Sequence, residues 1–88
     1  MINGVTKTGF KFSVDKNCMN DMELVDVLAD TSMDDAFRMS HVIKKLLPMD
    51  QRAALYDHVR VDGRVPVDAV VAAVEDIFAA IGNDAKNS

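Results

Sequence analysis

Asp62-Gly63-Arg64-Val65-Pro66-Val67-Asp68-Ala69-Val70-Val71-Ala72-Ala73-Val74-Glu75-Asp76-Ile77-Phe78-Ala79-Ala80-Ile81-Gly82 is the stretch that decides how this chain folds. The Asp62-Gly63 pair predicts a tight turn, because glycine takes positive φ without a steric penalty. Pro66 holds φ near the helical value and suits a helix start, and Gly82 is the expected left-handed stop. Between them Val67, Val70, Val71, Val74, Ile77, Phe78 and Ile81 recur every three or four residues, the spacing of one helical stripe. These seven side chains carry ~10–20 kcal/mol of burial free energy at ~1.5–3 each, so the stripe is expected to form core. Ala69, Ala72, Ala73, Ala79 and Ala80 flank it. They are expected to let a partner helix approach closely in self-association.

Eighty-eight residues allow one domain. A chain of this size buries only ~60–65% of its unfolded surface. With 49% hydrophobic and 27% charged residues, its composition is that of a folded globular domain. The single Cys18 allows no intrachain disulfide, no secretory leader opens the chain, and the apolar run Ala69 to Val74 is too short to span a bilayer. A soluble cytoplasmic protein with no membrane partner is expected. The net charge of −4 is unevenly spread. Residues 21–35 carry six acids (Asp21, Glu23, Asp26, Asp30, Asp34, Asp35) and no base, whereas residues 36–64 carry six bases against three acids. An acidic first helix lying beside a basic middle is therefore expected. An acidic chain lacks the concentrated positive field that phosphate binding requires, which argues against nucleic acid.

Upstream of the deciding stretch, Phe10, Phe12 and Val14 alternate with Lys11 and Ser13, the period of a half-buried strand. Ile2 to Thr6 is placed to pair with it across a turn near Lys7, Thr8 and Gly9. A first helix is predicted from a cap at Asn20 or Asp21 to about Ala29, with Met22, Leu24, Val25 and Leu28 facing inward. Ser32 is the expected cap of a second helix, completed by Asp35 and stopped before Pro48. Its core stripe is Ala36, Met39, Val42, Ile43, Leu46 and Leu47, while Met33 and Phe37 fall on the opposite face as a candidate contact patch. Asp50 is the expected cap of a third helix to about Arg60. The predicted fold is mainly α, a small bundle of about four helices with a short N-terminal β-hairpin over residues 2–14. The domain is expected to span residues 1–82, followed by a polar tail at 83–88.

Catalytic chemistry finds no support in the residues. His41 and His58 fall on different helices, and no His or Cys pair has metal-ligand spacing. Cys18 has no basic neighbour close enough to generate a thiolate. The four glycines are scattered at turns and form no phosphate loop. No catalytic residue, cofactor or metal is expected. Asp30-Thr31-Ser32-Met33 is similar to the modified-serine motif of acyl carrier proteins, but Thr31 separates the aspartate from the serine, and helix capping accounts for Ser32.

Taken in order, the chain shows Phe10-Lys-Phe-Ser-Val-Asp15, then acidic Asp21-Met-Glu-Leu-Val-Asp-Val-Leu-Ala-Asp30. Lys44-Lys-Leu-Leu47, Gln51-Arg-Ala-Ala-Leu-Tyr-Asp-His-Val59, Asp62-Gly-Arg-Val-Pro66, an apolar helix and Lys86-Asn87-Ser88 follow. Over nearly its full length this resembles the tail assembly chaperones of long-tailed bacteriophages and prophages of Gram-positive hosts. The resemblance implies a non-enzymatic protein that coats the hydrophobic tape-measure protein and self-associates. It also implies recruitment of tail-tube protein through a longer, frameshifted form, in the bacterial cytoplasm and outside the mature virion. Ala85-Lys86-Asn87 is compatible with the codons GCA-AAA-AAC, which contain a slippery heptamer. A small adaptor domain for a host regulatory protein, or a structural virion component, are the competing readings.

Overall fold

The alternation around Phe10 closes into an antiparallel hairpin of β1 (Ile2–Val5) and β2 (Lys11–Val14), paired Ile2↔Val14, Asn3↔Ser13, Gly4↔Phe12 and Val5↔Lys11. The computed structural model describes the backbone of residues 1–87 and the side chains of residues 1–84. The hairpin turn is held from inside. The Thr6 amide donates to the Phe10 carbonyl at 2.8 Å, the Phe10 amide donates to the Thr6 hydroxyl at 3.1 Å, and Gly9 supplies φ +94°. Ile2, Phe10, Phe12 and Val14 are all buried, as the period-2 pattern requires for a single inward face.

Gly4 lies under the Phe12 ring. A Cβ on Gly4 would meet the ring's ζ carbon at 2.6 Å, so this strand position has room only for hydrogen. Two side chains from distant helices then fix the hairpin. Gln51 accepts from the Ser13 amide and donates to the Ser13 carbonyl, both at 2.9 Å, thereby satisfying one residue of the outer β2 edge as a neighbouring strand would. Asp76 accepts from the Lys7 amide at 2.9 Å and ties the turn to the last helix.

α1 (Met22–Ala29) begins at Asp21, whose carboxylate accepts from the Glu23 amide. Of the four residues expected to face inward, only Leu24 is fully buried; Leu28 is half-buried beside Val27, and Met22 and Val25 point to solvent. Two turns of helix meet the bundle along Leu24, Val27 and Leu28 alone, a narrower stripe than the sequence suggests. The acidic helix does lie beside the basic middle, where Lys45 bridges Asp21 at 3.8 Å and Glu23 at 3.3 Å. These pairs are solvent-facing and contribute little.

α2 (Asp35–Leu46) corrects the expected cap. Asp34 caps the helix, accepting from the Ala36 amide at 3.0 Å, because Ser32 is already committed: its amide and hydroxyl both donate to Asp30. Val42, Ile43, Leu46 and Leu47 are buried and Ala36 and Met39 half-buried, as their spacing predicts. α3 (Met49–Val59) likewise starts earlier than expected. Pro48 occupies the cap position, and Asp50 sits inside the first turn, where it complements the positive end of the helix.

The Asp62-Gly63 turn forms as predicted. Both residues are left-handed, at φ 51° and 79°, between the bridged pair Val61 and Arg64, which gives two consecutive positive-φ positions of a tight reversal. α4 (Val67–Asn87) then follows Pro66. Gly82 does not end it, which corrects the expected helix stop: the helix continues to Asn87, and Ser88 lies outside the described residues. A glycine stops a helix only when it turns into the left-handed region, and Gly82 has no positive φ. Its Cβ direction is open, so Gly82→Ala is expected to stabilise the protein by ~0.5–1 kcal/mol, read as a higher urea midpoint.

One hydrophobic cluster takes residues from all six elements. Val70, Val74 and Ile77 of α4 are buried in it, and Val71, Phe78 and Ile81 are half-buried. Val67, expected in the same stripe, is 55% exposed at the first residue of the helix.

Candidate functional site

With no catalytic pattern in the sequence, the question is where apolar surface remains after the core is filled. Phe37 is the largest such side chain, 69% exposed on the outer face of α2. Ile43, Leu46 and Leu47 anchor that helix in the core, so its opposite side is presented on a fixed scaffold. A groove of about 240 Å³ has walls that include Ala36 and Ser40 of α2, Tyr56 of α3, and Val65 and Val67 at the entry to α4. The groove draws on three helices, and Phe37 is exposed on one of them, α2.

The other expected contact residues divide. Met33 is half-buried and precedes α2, so it does not share a helical face with Phe37. Ala72 and Ala79 are exposed. Ala73, only 3% exposed, belongs to the core, and Ala69 and Ala80 pack against that core. The alanine flank is therefore not one continuous contact surface: α4 is enclosed on more than one side, and small residues are what allow that close packing. Sequence reasoning missed the contribution of Val65, Val67 and Tyr56. Its only trace was the position of Val67 at the first helical residue, where a stripe has no turn before it.

His41 is exposed on α2. His58 has Nε2 2.9 Å from the Thr8 carbonyl and its ring centroid 5.9 Å from that of Phe10, which makes it a brace for the hairpin turn. Burial raises the pKa of the Cys18 thiol, and the charge of Asp15 raises it further, which is the opposite of an activated nucleophile. The Asp30 carboxylate is held below its ordinary pKa, first by the Ser32 hydroxyl and then by the Ser32 amide. That bond belongs to a turn ahead of α2, which begins three residues after Ser32, rather than to a serine at a helix start. Among the described residues no group of three or more His, Cys, Asp or Glu side chains could hold a metal ion, and no helix is long and apolar enough to cross a membrane. No protein-family model, curated protein or solved structure matches the chain.

Proposed function

We propose that this chain is a tail assembly chaperone of a long-tailed bacteriophage or prophage. It binds the hydrophobic tape-measure protein in the bacterial cytoplasm, keeps it soluble, and brings tail-tube subunits to it through a longer frameshifted form. The observation that carries the reading is the exposed apolar surface of Phe37 and Val67, which lie outside the buried core. The sequence resemblance supplies the partner's identity. Exposed aromatic and aliphatic groups beside a shallow groove suit an amphipathic helical segment, which inserts side chains at helical spacing.

Co-expression with the tape-measure protein of the same locus tests the proposal. A soluble complex containing both chains is the expected result. A tape measure that stays insoluble and unbound sinks the chaperone reading and favours the adaptor. Recovery of this chain in mature particles would assign it to the virion instead.

A further inference from the structure

An antiparallel ladder alternates pairs that exchange hydrogen bonds with pairs whose peptide groups point away from the partner strand. The Thr6 amide donating to the Phe10 carbonyl sets the phase in this hairpin, so Gly4↔Phe12 and Ile2↔Val14 are the bonded pairs. Asn3↔Ser13 and Val5↔Lys11 are then the outward-facing ones, as the Gln51 bonds to both peptide groups of Ser13 require. The fold treats the two resulting edges differently. On the β2 side Gln51 occupies Ser13. On the β1 side Asp76 takes the Lys7 amide, but the amides and carbonyls of Asn3 and Val5 bond neither to β2 nor to any other described group. Both residues are exposed, Val5 by 60%. Unpaired peptide groups in series along an edge strand are a template for another strand.

We infer that the β1 edge receives an extended, acidic segment of another protein as a third strand. Charge selects this occupant. Residues 1–14 carry Lys7 and Lys11 and no acid. The outer face of the hairpin holds a shallow depression of about 620 Å³, lined by Asn3, Val5, Lys11, Ser13 and Gln51 among others, and Lys11 is its only charged residue. Among the described residues Lys11 forms no ion pair. A strand added at β1 lies two strand spacings, about 10 Å, from the Lys11 backbone, a gap that a glutamate and a lysine side chain span together. Because alternate residues of that strand point to the outer face, the segment it selects carries acids at every second position. A second copy of β1 is a poor occupant: two hairpins meeting edge to edge bring lysines together with no acid to offset them. The edge shares no residue with Phe37 or with the groove that Val67 lines, so the inference stands apart from the proposed function.

The probe is a short capped peptide alternating glutamate with threonine, titrated to millimolar concentration into the isotope-labelled full chain and followed by NMR. The largest amide shifts should fall at Asn3 and Val5, and those two amides should exchange more slowly with solvent. The same peptide with lysine in place of glutamate should bind about tenfold more weakly, because attraction becomes repulsion. Val5→Pro removes one donor and sets a ring in the path of the incoming strand while leaving the β1–β2 hydrogen bonds in place. It should cut affinity about tenfold or more. Lys11→Glu keeps the backbone edge and should remove the preference for the glutamate peptide, which keeps the test decisive if the proline disturbs the hairpin. Absence of shifts at Asn3 and Val5 overturns the inference, as do equal binding of the two peptides and an affinity indifferent to both substitutions. Shifts confined to Phe37 and Val67 would do the same. Concentration-dependent broadening of Asn3 and Val5 in the chain alone would assign the edge to a second copy and overturn the acidic partner.

Discussion

Ile77→Ala is expected to destabilise the protein by ~3–4 kcal/mol, because a fully buried side chain in a small core leaves a cavity that its neighbours only partly close. A domain of this size has roughly 4–13 kcal/mol of stability in total. The substitution therefore removes a large share of it and should lower the thermal midpoint by roughly 15–25 °C. Ile77 is a buried residue of α4, the helix that packs on β1, α2 and α3, and its neighbour Asp76 holds the Lys7 amide. Loss of packing there loosens two attachments together. Val67→Ala on the same helical stripe is the control, expected to change stability by no more than about 0.5 kcal/mol because Val67 is 55% exposed. Equal effects at the two sites, measured by urea or thermal unfolding, would contradict the assignment of Val67 to the surface.

Gly4→Ala is expected to cost about 3 kcal/mol, at the upper end for overpacking. The added methyl would lie 2.6 Å from the Phe12 ζ carbon, and Phe12 is only 4% exposed. The ring must shift against the core, or the strands must separate at the Gly4↔Phe12 pair. Pairing Gly4→Ala with Phe12→Leu should recover part of the loss, so the double-mutant coupling energy is expected to be favourable and above ~1 kcal/mol. The same change at Gly82 is expected to stabilise. A neutral Gly4→Ala, or simple additivity with Phe12→Leu, would show that the ring does not rest on Gly4.

The resemblance and the surface bear on function differently. Resemblance proposes what is bound, while the surface proposes how. Phe37 was already identifiable as an apolar residue out of phase with the core stripe of its helix. Its companion was not, because Met33 precedes the helix that Asp34 caps, and the choice between Ser32 and Asp34 turned on a hydrogen bond from Ser32 to Asp30. Gln51 holding Ser13 and His58 reaching Thr8 join residues 38 and 50 positions apart, and no local pattern signals either contact.

Local physics written in the sequence determined the hairpin period, the Asp62-Gly63 reversal, the number of helices and most of their inward faces. Each depends on interactions between residues a few positions apart, where turn preference and hydrophobic spacing act directly. Tertiary structure alone decided that α4 continues past Gly82, which of its alanines are enclosed, and that Val67, Tyr56 and Ala36 share a groove. Those outcomes depend on what lies across the helix rather than along it. Burial is set by the neighbours that the fold supplies, and a stripe records only which side is apolar.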